Sequence, residues 1–289
     1  MVRGEGMTIF TCPVCGEKLD RLPKAYACKN GHSYDIAGEG YVHLLPPNRM
    51  HAKVPGDNKE MVASRRRFLE SGGYRLFSDK LNELVRAYSG VKSPTILDAG
   101  CGEGYYTGRL CDDLLDHGFA PSVFGFDISK FAVKAAAKKY KQISFAVAGT
   151  FSIPVKSGAV DVAVDVFAPV AEKELNRVLK PGGHVILAVP GRRHLYGLKE
   201  ILYDAPYENE SIAADYEGFA LTGRVPVATD LVISGSRMIE DLFAMTPYYY
   251  KTGESGAERL KRADTLETEI EFDFLIYEKV GEACRNAEN

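Results

Sequence analysis

Five short apolar runs follow one another between Thr95 and Pro190, and stretches with helical periodicity separate most of them. The runs read TILDAG, VFGFDI, ISFAVAG, VDVAVDVF and HVILAVP, and the helical stretches include YYTGRLCDDLLDH, KFAVKAAAKKY and EKELNRVL. Continuous apolar runs of this length are typical of strands buried on both faces. Their alternation with helices predicts a parallel, doubly wound α/β sheet. Residues 226–280 predict a further helix and a late strand in a closing antiparallel hairpin.

The first run ends in a glycine-rich turn, in which Gly100, Gly102 and Gly104 lead into a helix. Asp127 ends the second run, 29 residues after Asp98. Glycines let the backbone approach a ligand closely, and a carboxylate at the end of the second strand can accept hydrogen bonds from ribose hydroxyls. This pattern fits both a dinucleotide and S-adenosylmethionine.

Two features favour S-adenosylmethionine. Glu103, Tyr105 and Tyr106 crowd the turn and the start of its helix, which is unfavourable for an anionic pyrophosphate. S-adenosylmethionine is cationic at sulfur and carries an ammonium group, so the carboxylate of Asp98 or Glu103 suits it electrostatically. In addition, residues 177–190, RVLKPGGHVILAVP, resemble the corresponding segment of class I S-adenosylmethionine-dependent methyltransferases. A methyltransferase is therefore favoured over a dehydrogenase.

Three of the six cysteines and one of the six histidines lie within residues 12–32. They form one pair on a tight knuckle and a second pair after a short hairpin: Cys12, Cys15, Cys28 and His32. Four such ligands suit tetrahedral Zn²⁺ and leave no open position, so the predicted metal is structural. His43 and His51 are alternatives for the fourth ligand. Gly16 is expected to adopt a positive φ in the first knuckle, and Pro23 indicates a hairpin rather than a DNA-recognition helix between the pairs.

The length of 289 residues, with 45% apolar side chains, suffices for one large domain and a smaller one. We expect a zinc-binding RNA-recognition module over residues 1–46, a linker and helical segment over 47–92, and a methyltransferase domain over 93–289. No apolar run approaches the ~20 residues that span a bilayer, and no secretory signal precedes the first cysteine. A cytoplasmic protein with no membrane partner is expected, starting at Met1 or Met7.

The formal charge of −3 is unevenly distributed, because residues 1–70 hold eleven basic against eight acidic side chains and the remainder 25 against 31. An RNA partner must therefore meet local basic patches. The candidates are Lys18, Arg21, Lys24 and Lys29, together with Arg65, Arg66 and Arg67, although the arginine triplet also fits a solvated helix face. Reversing Arg65 and Arg66 is expected to weaken RNA binding and to leave cofactor affinity intact.

Taken together, these segments resemble the RlmA family of bacterial 23S rRNA guanine-N1 methyltransferases. The similarity covers nearly the whole chain and is carried by CPVCGEKL, CKNGHSYDIAGEGYVHLLP, RRRFLESGGY, LDAGCGEGYYT, FGFDISKFAVKAAAKKY, FAPV, RHLYGLKEILYD and MTPYYY. It implies a class I, Rossmann-like fold with a small zinc module, and methylation at N1 of a guanine in the hairpin 35 loop of 23S rRNA. It also implies a homodimer and two branches that modify neighbouring guanines, one of them associated with resistance to tylosin-type macrolides.

The resemblance assigns zinc binding to Cys12, Cys15, Cys28 and His32, and methyl-donor binding to Tyr74, Gly102, Glu103, His194 and the ribose carboxylate Asp127. Residues 165–170, DVFAPV, follow the fourth strand, where related methyltransferases hold their target base. Phe167, Ala168 and Pro169 are expected to line that pocket, with Asp165 as a candidate proton acceptor. Cys101 and Cys111 are expected to be buried fillers rather than nucleophiles. A small-molecule methyltransferase and a non-catalytic RNA-binding assembly factor are the alternative functions.

Overall fold

The computed structural model describes residues 8–49, 55–210 and 215–281. Within these ranges the helices are α1 (Lys59–Glu70), α2 (Arg75–Tyr88), α3 (Tyr105–Asp116), α4 (Lys130–Lys139), α5 (Glu172–Val178), α6 (Tyr196–Leu202), α7 (Ser236–Ala244) and α8 (Glu254–Lys261). The strands are β1 (Asp20–Arg21), β2 (Ala25–Ala27), β3 (Ser33–Asp35), β4 (Val42–His43), β5 (Thr95–Ala99), β6 (Ser122–Asp127), β7 (Ser144–Val147), β8 (Val160–Val166), β9 (Leu179–Pro190), β10 (Phe219–Ser234) and β11 (Thr265–Lys279).

A mixed sheet forms the centre of the described chain, in the order β10-β11-β9-β8-β5-β6-β7-β4. The five predicted strands are β5 to β9, and they pair in parallel as the alternation with helices predicts. The predicted closing hairpin is confirmed, since β10 and β11 pair in antiparallel fashion. However, β10 begins at Phe219, ahead of the predicted start of this stretch at Pro226, because the long edge strand lacks a continuous apolar run.

Both faces of the sheet are buried at its parallel strands. Ile96, Val123 and Val162 point to one face, where they pack with side chains of α2, α3 and α4. Leu97 and Phe124 point to the other face, as the two-residue period of a strand requires. The alternation of buried side chains accounts for the continuous apolar runs in the sequence.

The zinc-binding segment packs against the second face of the sheet. Its strands β1, β2 and β3 form a separate antiparallel sheet, whereas β4 pairs with β7 at the edge of the central sheet. Phe10 is fully buried and packs edge-to-face on Tyr26 and on Phe124 of β6, with ring centroids 6.0 and 5.5 Å apart. This segment is therefore fixed to the sheet by a shared core. The predicted division at residues 46 and 92 stays a prediction.

Helix α1 is positioned by clear local signals. The Asn58 side chain accepts hydrogen bonds from the backbone N–H groups of Glu60 and Met61, which satisfies donors that a helix start leaves free. The helix ends before the Gly72 and Gly73 break, and Tyr74 follows directly before α2. No helix in the three described ranges is long and apolar enough to cross a membrane.

Candidate functional site

The structure brings the four predicted zinc ligands together. The ligand atoms of Cys12, Cys15, Cys28 and His32 all lie within 4.8 Å of one another. His32 Nδ1 is 3.5 Å from the sulfur of Cys12 and 3.4 Å from that of Cys28, and the sulfurs of Cys15 and Cys28 are 3.7 Å apart. A tetrahedral Zn²⁺ with its usual bond lengths places sulfurs about 3.8 Å apart and sulfur about 3.5 Å from nitrogen. The ligand set therefore fits a closed, structural zinc site.

The surroundings of Cys12 favour its thiolate, which is the form that binds a metal. The Tyr34 hydroxyl lies 3.1 Å from the Cys12 sulfur and donates to it. Burial opposes ionisation, but the hydrogen bonds from Tyr34 and from the backbone N–H groups of Cys15 and Val14 outweigh it and lower the pKa of Cys12 to about 6. Gly16 has a φ of 73°, as predicted for the first knuckle. The alternative ligand His43 lies on β4, outside this cluster, and His51 lies outside the described residues.

A second site is a cavity of about 680 Å³ at the carboxyl ends of the parallel strands. Its volume is in the range of small-molecule sites, and its position is where open α/β sheets bind their ligands. The predicted residues that line it are Tyr74, Asp98, Gly100, Gly102, Glu103, Asp127, Asp165, Phe167, Ala168, Pro169 and His194. Gly104 does not line the cavity and instead precedes the first residue of α3.

Gly100 and Asp127 shape the floor of this cavity. Gly100 has a φ of 83°, and a Cβ at this position would lie 2.5 Å from the Cβ of Ala168, so only glycine fits. Asp127 accepts hydrogen bonds from the backbone N–H groups of Gly102 (3.0 Å) and Ser129 (2.7 Å). These bonds fix the carboxylate at the end of β6 and leave lone pairs on both oxygens for hydroxyl donors of a ligand.

Two further carboxyl groups keep a buried oxygen without a hydrogen-bond partner. These atoms are Asp98 Oδ1 and Glu103 Oε1. Burial raises the pKa of Asp98 to about 7, with a further contribution from the charges of Asp127 and Glu103. An unpartnered buried acceptor is costly unless a ligand supplies the donor. An acidic cavity with orphan acceptors fits the cationic, ammonium-bearing S-adenosylmethionine and is unfavourable for pyrophosphate.

Tyr74 and His194 form a pair on the opposite wall. The Tyr74 hydroxyl lies 3.4 Å from His194 Nε2, and the backbone N–H of Glu271 donates to His194 Nδ1 over 3.3 Å. Because Nδ1 accepts a hydrogen bond, the ring proton is on Nε2. Burial, assisted by the Lys199 charge, lowers the pKa of His194 to about 3. The imidazole is therefore neutral, and its Nε2–H donates to the Tyr74 hydroxyl.

Arg65 lies at the cavity rather than in an exposed basic patch. Its guanidinium forms an ion pair with Asp57 (2.8 Å), donates to the Met245 carbonyl (3.3 Å) and lines the cavity. Arg67 forms an ion pair with the buried Asp241 at 2.6 Å. The expectation that reversing the charge of Arg65 leaves cofactor affinity intact stays a prediction, and the place of Arg65 in the cavity lining argues against it. No motif in the sequence distinguishes Arg65 from its neighbours, because their difference arises only when α1 lies across the cavity.

The segment after β8 forms the other end of the cavity. Asp165 Oδ1 accepts a hydrogen bond from the Ala168 backbone N–H at 3.0 Å, while its buried Oδ2 has no partner. Burial raises the pKa of Asp165 to about 7. Phe167 has a φ of 60°, which is strained for a bulky side chain, and its ring is 46% exposed. Strained residues of this kind cluster at active sites and ligand sites.

Sequence reasoning missed several aromatic residues of the cavity. Tyr216, Tyr248 and Tyr250 line it, and Tyr250 is 69% exposed. Tyr248 and Tyr250 belong to MTPYYY, a segment of the family resemblance that assigned them no role, and all three residues reach the cavity through tertiary folding. Cys101 is buried, and burial raises the pKa of its thiol well above the ordinary value, which agrees with the predicted role as a filler.

Both the zinc-binding segment and the parallel sheet match known protein families. The zinc ribbon family model "RlmA, N-terminal" matches residues 10–53, and the family model "Methyltransferase domain" matches residues 91–225. A Streptomyces fradiae 23S rRNA (guanine(748)-N(1))-methyltransferase is 35% identical over 66% of this chain and 66% of its own length. A Bacillus subtilis protein provisionally named as a 23S rRNA (guanine-N(1)-)-methyltransferase is 30% identical over 96% of this chain and 99% of its own length.

Proposed function

The chain belongs to the RlmA family of 23S rRNA guanine-N1 methyltransferases, and from this we propose that it methylates N1 of a guanine in 23S rRNA. We further propose that the target lies in the loop of hairpin 35. N1 is occupied by Watson–Crick pairing in a duplex, so an unpaired loop nucleotide, or one rotated out of the stack, suits the cavity.

We assign donor binding to the floor and wall of the cavity. Asp127 would accept hydrogen bonds from the ribose hydroxyls. The orphan oxygens of Asp98 and Glu103 would accept from the ammonium group, and the Tyr74 hydroxyl, positioned by His194 Nε2, would donate from the opposite wall. Bound there, S-adenosylmethionine supplies an electrophilic methyl group on a sulfonium centre. The acidic lining suits this positive charge.

The observation that carries the proposed reaction is the unpartnered, buried Oδ2 of Asp165. Guanine N1 holds a proton at neutral pH, which must leave as the new N–C bond forms and the C–S bond breaks. A carboxylate with a pKa of about 7 is half ionised at neutral pH and is matched to accept that proton. Phe167 and Tyr250 present exposed rings at the cavity, where they can stack on the base.

The Asp165→Asn variant tests this role. Asparagine keeps an oxygen for the Ala168 N–H but cannot accept the proton, so the rate of methyl transfer to unmodified 23S rRNA should fall about 100-fold or more. Donor affinity, measured by calorimetry, should be retained. Asp116→Asn, an exposed change of the same charge at the end of α3, serves as the control. An unchanged rate in Asp165→Asn would overturn the assignment of the base.

The same proposal includes two finer questions: which of the neighbouring guanines is modified, and whether macrolide resistance follows. Both depend on which nucleotide of the RNA is methylated.

We also propose a homodimer. In the described part of the sheet, β10 is an edge strand with the exposed residues Leu221 and Val232, and an unpaired edge is a ready site for association. Sedimentation at micromolar concentration tests this, because a single monomeric species would contradict it.

A further inference from the structure

Positive charge is concentrated around α4. Residues 128–141 contain five lysines and no aspartate or glutamate, in a chain whose acidic residues outnumber its basic ones by 39 to 36. Such segregation within an overall acidic chain creates a local positive potential. No motif for zinc or donor binding requires these lysines.

Three of these lysines form a row on one side of α4. Lys130, Lys134 and Lys138 are spaced four residues apart and are all exposed, and we call them the lysine ridge. Four residues advance about 6 Å along a helix, so the ridge extends roughly 12 Å. The buried side of α4 consists of Ala132, Val133, Ala136 and Ala137, which anchors the helix to the core and orients the ridge outward.

The ridge starts at the mouth of the donor cavity. Ile128 lines the cavity, Ser129 caps α4, and Lys130 is the first residue of the helix. Phe131 follows Lys130 in the chain and is 39% exposed, so an aromatic ring is accessible at the same end of α4. A cation next to an exposed ring is the combination that grips the phosphates and bases of single-stranded RNA.

The ridge also joins the other elements that face this side. Lys134 forms an ion pair with Glu39 of the zinc-binding segment (3.0 Å), and Lys139 forms one with Glu70 of α1 (2.8 Å). Residues 130–141 hold five lysines, so these two carboxylates leave a surplus of positive charge. Within the described ranges, Lys130 and Lys138 form no ion pair. Neutralisation of nearby acids therefore does not account for the ridge.

We infer that the lysine ridge binds the phosphate groups of 23S rRNA next to the target nucleotide, an inference that rests on the proposed function. The RNA strand leaves the cavity past Phe131 and follows α4, between the zinc-binding segment and α1. The ridge thus holds the RNA backbone while the cavity holds the base. Phosphate contacts fix position and orientation rather than sequence.

The test compares two variants with the same loss of charge. Lys130→Gln/Lys138→Gln removes the two unpaired lysines of the ridge and keeps a good helix former at both positions. Lys92→Gln/Lys156→Gln removes two exposed lysines that precede β5 and β8. They lie at the amino ends of these strands, whereas the cavity lies at the carboxyl ends. The affinity of each variant for an unmodified 23S rRNA transcript is measured by filter binding over a range of salt concentrations, and donor affinity is measured separately.

The ridge variant should bind the transcript about tenfold more weakly at 0.1 M salt, with the slope of log K against log salt reduced by about 1.5, while the control variant binds as the wild type does. Equal RNA binding by all three proteins would overturn the assignment of RNA binding to the lysine ridge. The proposed function would still stand, provided that the wild type methylates the transcript. A wild type that binds donor but neither binds nor methylates the transcript would overturn both. Weaker binding in both variants would also overturn the ridge, because net charge alone would then explain the loss.

Discussion

The ionisation of Asp98 makes donor binding depend on pH in a direction that can be tested. Burial raises the pKa of Asp98 to about 7, and its Oδ1 has no partner in the described structure. An ammonium group bound at this oxygen favours the ionised carboxylate. Donor binding should therefore be accompanied by proton release from Asp98 near neutral pH.

The size of the effect follows from that pKa. With a pKa of about 7, roughly a tenth of Asp98 is ionised at pH 6 and roughly nine-tenths at pH 8, so donor affinity should rise about tenfold over this interval. In the absence of donor, the ionisation of Asp98 has the opposite effect on stability, because a rise in pH lowers the free energy of unfolding. A carboxyl group whose pKa is raised by folding stabilises the fold below its unfolded value near 4 and loses that contribution as the pH rises through about 7. Bound donor should therefore raise the melting temperature more at pH 8 than at pH 6.

The Asp98→Asn variant isolates this contribution. Asparagine can still accept the hydrogen bond that Thr107 donates to Asp98 in the wild type. Calorimetric titration with S-adenosylmethionine should give weaker binding at pH 8 and a flatter dependence on pH than in the wild type. Titration of the donor's own amino group affects both proteins equally and cancels in the comparison. An identical pH dependence in both proteins would refute the assignment of Asp98.

Two further variants test the shape of the cavity and the metal site. Gly100→Ala should lower the free energy of unfolding by about 1–3 kcal/mol and abolish donor binding, because the added methyl group meets Ala168 at a backbone φ of 83°. Denaturant unfolding measures the first effect and calorimetry the second. Donor binding as tight as in the wild type would contradict the prediction. Cys15→Ser should lose the bound Zn²⁺ and the effect of chelators on the melting temperature. Since Cys15 is exposed, this loss reflects the metal and not a cavity in the core.

The sequence predicted the parallel strands and the zinc cluster because both follow from short-range patterns. Buried strands between two covered faces must be continuously apolar, and ligands on knuckles must be closely spaced in the chain. The lining of the cavity by the glycine turn, Asp127 and Asp165 also follows from topology, since parallel strands bring their carboxyl ends to one edge.

The contribution of α1 and the tyrosine segments could not be predicted in this way. Arg65 and Tyr250 reach the cavity only because α1 packs on α4 and α7. No local sequence pattern encodes that packing. The shared core of the zinc-binding segment has the same origin, because the burial of Phe10 against Phe124 joins residues that are distant in the chain. Contacts between residues distant in the chain therefore account for the parts of the site that the sequence did not predict.

Primer extension tests most directly whether this chain methylates N1 of a guanine in 23S rRNA. Unmodified 23S rRNA is incubated with the purified protein, with and without S-adenosylmethionine, and copied across hairpin 35. A methyl group on N1 blocks base pairing, so a stop that depends on the donor should appear beside one loop guanine and vanish in Asp165→Asn. Complete read-through by a protein that binds the donor would contradict the claim and point to a different substrate.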